Sequence, residues 1–209
     1  MEELNKLESC IKIIKKLPVS QIDKNITAIS TLIYDDDDLL DNFLQKVDNR
    51  QNFCQEHCFI KSEYNRDGDS YRSPITNSYY PPMEDGRMPS KELRSLEENL
   101  NKIFSLYTNS YYWTNSSSGI CSCYCWDLGS TIEEGFAVAV LIRHLVEGKG
   151  VVESGLWETT NVVNVTFSNN DDELKCNYKL TTYVQLKIGF GHNNGGIGGV
   201  SGTLAAQVD

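Results

Sequence analysis

Two stretches decide how this chain folds: Cys121-Ser-Cys-Tyr-Cys-Trp126 and Leu174-Lys-Cys-Asn-Tyr-Lys-Leu-Thr-Thr-Tyr-Val-Gln-Leu-Lys-Ile188. In the first, three cysteines alternate with Ser122, Tyr124 and Trp126. In the second, Leu174, Cys176, Tyr178, Leu180, Thr182, Val184, Leu186 and Ile188 alternate with more polar neighbours. Successive side chains of a β-strand point to opposite faces, so a period of two marks strands. Residues 136–146 and 156–167 read as two more strands around the turn-rich stretch 147–154, and 198–207 as a fifth. Short connections between them predict an antiparallel meander. The strand at 136–146 is apolar on both faces, so both sides of the sheet centre need cover.

Upstream, Ser90 is placed to cap a helix of some twenty residues whose apolar stripe is Leu93, Leu96, Leu100, Ile103, Tyr107 and Tyr111. That helix can cover one face of the sheet. Nothing after Gln207 is left for the other, so a partner subunit or a helix absent from this chain is expected there. Residues 51–89 are rich in Asp, Asn, Ser, Gly and Tyr, with Pro74, Pro81, Pro82 and Pro89 as breakers, and read as an ordered but irregular segment. The first fifty residues carry three helical patterns. Leu7, Cys10, Ile11, Ile14 and Leu17 precede Pro18, and Ile22, Ile26, Ile29 and Ile33 follow a capping-box-like Ser20-Gln-Ile-Asp23. Leu39, Leu40, Phe43 and Val47 follow the acidic run 35–38, whose carboxylates suit a helix start better than a calcium site. The expected architecture is α+β: a three-helix lobe at 1–50, an irregular Tyr/Pro-rich linking segment at 51–89, and a helix with a five-stranded antiparallel sheet at 90–209, the dimerisation region.

Composition narrows the function. With 40% hydrophobic residues in 209 the chain can bury a real core, and its net charge of −10 opposes a nucleic-acid or anionic-membrane surface, which needs clustered positive charge. No apolar run approaches the roughly 20 residues of a membrane span. The start of the chain, charged from its second residue, lacks the layout of a secretory signal, so most of the seven cysteines are expected as free thiols in a reducing cytoplasm.

The motifs that invite chemistry each have a simpler explanation. Cys121, Cys123 and Cys125 fall in a line about 7 Å apart on one strand face rather than at tetrahedral corners, so core packing is expected. Cys54-Gln-Glu-His57-Cys58 lacks a second Cys/His pair at finger spacing. Asn65-Arg-Asp-Gly-Asp-Ser70 misplaces the glycine and closing glutamate of a calcium loop, and reads as a turn tied by Arg66, Asp67, Asp69 and Arg72. The glycine-rich 189–199 matches neither the dinucleotide fingerprint nor the P-loop, and reads as a long hairpin loop. His57, His144 and His192 stand in no nucleophile-base motif, His144 inside an apolar strand. No metal, cofactor or catalytic residue is therefore assigned. The rival readings that the residues leave open are a self-associating sheet module and a Cys/His metal-binding protein.

Glu63-Tyr-Asn-Arg-Asp-Gly-Asp-Ser-Tyr-Arg-Ser-Pro74, continued by Pro81-Pro-Met-Glu-Asp-Gly-Arg-Met-Pro-Ser90, closely resembles the signature of the F-actin capping protein beta-subunit family. Lys15-Lys-Leu-Pro18 and Gln21-Ile-Asp-Lys-Asn25 upstream, and Tyr124-Cys-Trp-Asp-Leu128 and Tyr178-Lys-Leu-Thr181 downstream, extend the resemblance in family order over nearly the whole chain. It implies a non-enzymatic subunit that joins an alpha subunit of like fold, binds the barbed ends of actin filaments in the cytoplasmic cytoskeleton, and blocks subunit addition and loss. It also implies that the sequence stops at Asp209, where the family's covering helix and mobile actin-binding arm begin, so the isolated chain is expected to be poorly soluble or obligately associated. By the same resemblance, regulatory peptides of the capping-protein-interaction type would meet Lys16 and Tyr79. Lys16 stands where the family has Arg, so the bidentate fork is missing.

Overall fold

The computed structural model describes residues 2–17, 22–47, 51–112, 117–130, 132–147, 152–170, 173–191 and 197–208. They form two compact units, one of residues 1–52, 61–73 and 77–87, the other of residues 53–60, 74–76 and 88–209.

The first unit begins with three helices, α1 (Glu2–Lys16), α2 (Ile22–Leu32) and α3 (Asp37–Val47). Their apolar stripes meet in a core of Ile14, Ile29 and Phe43, with Leu7, Cys10, Ile11, Ile26 and Val47 around it. The acidic run before α3 acts at the helix start: the Asp36 carboxylate accepts the Leu39 amide at 2.9 Å, filling one of the orphan donors there. The capping box expected at Ser20–Asp23 includes Ser20 and Gln21, which lie outside the described residues. The same unit holds a small three-stranded antiparallel sheet of β3 (Arg66–Asp67), β4 (Ser70–Arg72) and β5 (Tyr79–Tyr80). Two further short strands, β1 (Asn52–Cys54) and β2 (Phe59–Lys61), pair as a ribbon.

The second unit is built on α4 (Lys91–Tyr112) and five strands, β6 (Ser117–Asp127), β7 (Phe136–Glu147), β8 (Val152–Asn170), β9 (Glu173–Gly191) and β10 (Ile197–Val208), in the order β10-β9-β8-β7-β6. Each strand pairs antiparallel with its sequence neighbour, as the period-two patterns predict. β8 and β9 pair over eighteen positions, from Val152 to Asn170, with one bulge near Ser154. Of the glycine-rich 189–199, residues 192–196 lie outside the described ones, and the chain on either side is strand.

Register explains why β7 is apolar on both sides. Cys123 stands opposite Val140 and Cys125 opposite Val138, and these four join Leu93 of α4 in the core, with Leu96, Leu100 and Phe104 against it. Tyr124, opposite Ala139, and Ser122, opposite Leu141, point to the other face, and all four are buried. The expectation that nothing in this chain covers that second face is corrected here. The Ile60 amide donates to Ser122 Oγ at 2.9 Å, and the Tyr124 hydroxyl donates to the Ile60 carbonyl at 2.7 Å. Segment 53–60 lies there because polar groups buried beneath it need partners that only a nearby backbone supplies. Cover is incomplete toward the far end of β7 on both faces: Leu145 is exposed on this second face, and Val146, Trp157 of β8 and Leu186 of β9 are exposed on the face of α4.

The stripe predicted for α4 is right in its first half and wrong in its second. Leu93, Leu96 and Leu100 are packed, but the buried phase continues through Glu97, Phe104 and Thr108, leaving Ile103 60% and Tyr111 70% exposed. Counting apolar residues alone favoured the wrong continuation, since Glu97 and Thr108 are polar residues placed on the inner face.

Candidate functional site

The residues singled out from the sequence, Lys16, Tyr79, Arg66, Asp67, Asp69 and Arg72, all belong to the first unit. The local fold starts at Ser62, whose hydroxyl accepts the Tyr64 amide at 3.1 Å while the Asn65 side chain accepts the Ser62 amide at 2.9 Å. This reciprocal cap closes the 3-10 turn Glu63–Asn65 and delivers the chain into β3. Gly68 then takes φ +57° between β3 and β4, a left-handed conformation that residues with a Cβ adopt at a cost.

The two arginines are held by neighbouring parts of the same loop. Arg66 is buried, its guanidinium held by the Glu63 carboxylate and donating to the Gly68 carbonyl at 3.1 Å. Arg72, also buried, donates to Asn77 Oδ1 at 2.7 Å, and Asn77 adopts φ +60°. The Asn65 amide donates to the Arg72 carbonyl at 2.9 Å, tying the two ends of the hairpin. Lys61 lies 5.4 Å from the Tyr71 ring centre, and burial, followed by the Glu63 charge, pushes the Tyr71 phenol above its usual range.

Two acidic residues connect this hairpin outward. Asp69 accepts from the Lys15 ammonium at 2.7 Å, and that hydrogen bond and charge hold its exposed carboxyl below the usual range. Asp67 accepts the Arg87 amide at 3.0 Å, and the Arg87 carbonyl in turn accepts the Tyr79 hydroxyl at 2.6 Å. A continuous path therefore runs from the end of α1 through Asp69 and Asp67 to Arg87 and Tyr79. Lys16, next to Lys15 at the last position of α1, is exposed.

Tyr79 is only 6% exposed, and Gly86 lies so close to its ring that a Cβ there would collide with it. The ring of Tyr79, which the resemblance places in contact with regulatory peptides, is thus turned inward, with its hydroxyl on the Arg87 carbonyl. Sequence reasoning also missed Lys15, Asn65, Asn77 and Arg87. Ser62-Glu-Tyr-Asn65 carried a capping signal that names Asn65, and Asn77 sits in a local turn five residues from Arg72; Lys15 and Arg87 are long-range partners without a local signature.

The cysteine motifs carry no site geometry. Cys54 is buried and Cys58 exposed at φ +54°, with its thiol 3.6 Å from the Gln55 carbonyl. Cys121 and Cys123 bring their sulfurs to 3.8 Å, closer than strand spacing suggests, and the Cys121 thiol together with burial pushes the Cys123 thiol far up. Among the described residues no group of three His, Cys, Asp or Glu side chains is arranged to hold a metal, and no helix is long and apolar enough to cross a membrane. His144 lies in β7, with burial lowering its pKa.

Fold and site together define an α+β protein in which a helix-backed antiparallel meander accompanies a helical unit whose polar loop is locked by its own side chains. The family model for the F-actin capping protein, beta subunit, matches residues 7–209. The F-actin-capping protein subunit beta of Dictyostelium discoideum is 35% identical over 204 residues, covering 96% of this chain and 71% of that protein. The subunit beta of Drosophila melanogaster is 35% identical over 207 residues, covering 97% and 70%. The chain belongs to the F-actin capping protein beta-subunit family. Among solved structures, the homodimeric actin capping protein alpha subunit from Plasmodium berghei aligns over 97% of this chain and 78% of its own, at 11% identity and a TM-score of 0.40, a likeness too loose to weigh further.

Proposed function

We propose that this chain is the beta subunit of a heterodimeric actin capping protein, which with an alpha subunit binds the barbed ends of actin filaments and blocks subunit addition and loss. One observation carries the reading: a family model built on such subunits matches nearly the whole chain, from residue 7 to residue 209. The family is a structural, cytoskeletal one. That this chain has no enzymatic activity and works in the cytoplasm is the finer part of the proposal, and it rests on membership of that family.

The first unit supplies a contact for regulatory peptides of the capping-protein-interaction type. Lys16 is its charged contact, exposed at the end of α1, where a cation also suits the helix dipole. Tyr79 contributes by anchoring the loop rather than by offering its ring, and Arg66, Asp67, Asp69 and Arg72 hold the hairpin's shape.

The test is co-expression with an alpha subunit followed by a barbed-end elongation assay. The pair should co-purify and slow elongation from filament seeds in a concentration-dependent way. Elongation unchanged by a purified, folded pair would overturn the reading.

A further inference from the structure

β6 is the outermost strand of the sheet, and one edge of it faces away from β7. An open edge presents unpaired N–H and C=O groups that another chain can use. Along half its length this edge is closed by α4. Glu97 accepts the Cys125 amide at 2.7 Å, and Asn101 both accepts the Cys123 amide and donates to the Cys123 carbonyl, each at 2.9 Å. Asn101 thus imitates one residue of a neighbouring strand.

Antiparallel ladders alternate, so residues two apart direct their backbone groups to the same side. Cys123 and Cys125 point theirs at α4, and Cys121 and Gly119 must do likewise. The next α4 residue in the series, Ser105, is too short to repeat what Asn101 does. Here a cavity of about 470 Å³ opens, lined by Gly119, Cys121, Ser105, Asn101 and Lys102, with Ile75 supplying apolar wall. The free edge is bounded at one end by Asn101. Lys102, at that end, is exposed and forms no ion pair among the described residues, whereas the neighbouring Glu98 is held by Arg94 at 3.1 Å.

We propose that this cavity is an edge-strand slot for the carboxyl-terminal end of an extended peptide, whose main chain pairs with Gly119 and Cys121 and whose terminal carboxylate meets Lys102. Pairing across two such positions spans about 7 Å, the length of two to three extended residues, which the cavity accommodates. A peptide running through would collide with Asn101, so the occupant has to stop there. Among the described residues that line the cavity, Lys102 is the charge without an ion-pair partner, and being positive it selects a carboxylate over an ammonium. The occupant therefore runs parallel to β6. This is the strand-addition mode of peptide recognition, shortened by a helix that occupies the rest of the edge.

The test uses the full chain, with its alpha subunit if they purify together, passed over a library of random tetrapeptides tethered by their amino ends, in free-acid and amidated forms. Retention on the free-acid library should exceed the amidated one at least tenfold. The surface change Lys102→Gln should remove most of that preference, and Ser105→Phe, which fills the slot, should remove retention while the thermal melt stays cooperative. Amide resonances of Gly119 and Cys121 should shift on addition of a retained free-acid peptide. No retention, equal retention of both libraries, retention untouched by both substitutions, or binding that leaves those two amides unmoved would each overturn the proposal.

Discussion

The two halves of α4 are one continuous helix with opposite relations to the sheet. In the first half Leu93 and Glu97 are fully buried, and Glu97 and Asn101 bond the edge of β6 directly. In the second half Ile103, Leu106, Tyr107 and Tyr111 are exposed, the two tyrosine rings resting on each other at 4.6 Å. Hydrophobicity by itself would have turned the second half the other way. The difference teaches that this helix is oriented by polar bonds to backbone groups on the edge of β6, since leaving a buried donor unpaired costs about 1 to 3 kcal/mol, comparable to burying one apolar side chain.

Breaking the first half should have the largest effect. Glu97→Ala takes its acceptor from the Cys125 amide and its 2.5 Å carboxylate partner from the Arg94 guanidinium, and should cost about 3 to 5 kcal/mol in chemical denaturation. Leu93→Ala, which opens a cavity in the core of the second unit, should cost about 2 to 5 kcal/mol. If Leu93→Ala proves far more damaging than Glu97→Ala, packing rather than edge bonding orients the helix. Asn101→Leu, matched in size, should cost about 2 kcal/mol because both Cys123 groups lose their partner at once.

The second half sharpens the contrast. Leu106→Ser and Tyr111→Ser should each change the stability of the free chain by about 0.5 kcal/mol or less, since these side chains are already in water. A much larger loss would show that the exposed face is covered within the chain.

The smallest effect belongs to the first unit and depends on pH. Asp69 has a lowered pKa in the folded chain, so its pairing with Lys15 stabilises above the unfolded carboxyl pKa of about 3.9 and is lost as pH falls through the folded value. Because Asp69 is fully exposed, salt should screen this contribution. Asp69→Asn should abolish a salt-sensitive part of the acid transition at low ionic strength and change nothing in high salt. Lys16→Glu should weaken binding of a capping-protein-interaction peptide while leaving the thermal melt unaltered.

Period and punctuation were enough to place four helices and the five long strands of the meander, because those signals are local: alternation for strands, spacings of three and four for helices, prolines and glycines between them. The same local reading took residues 65–70 for a turn and the cysteine row for strand packing, and the row does pack in the core of the second unit. What it could not reach were choices made between distant segments. Segment 53–60 reads as irregular linker, and only its bonds to Ser122 and Tyr124 show it lying on the second face of the sheet. The rotation of α4, the inward turn of Tyr79 and the half-closed edge of β6 were likewise settled by which buried backbone groups lacked partners. That count can be made only when the chain is assembled, since a donor is unpaired relative to everything around it and not to its neighbours in sequence.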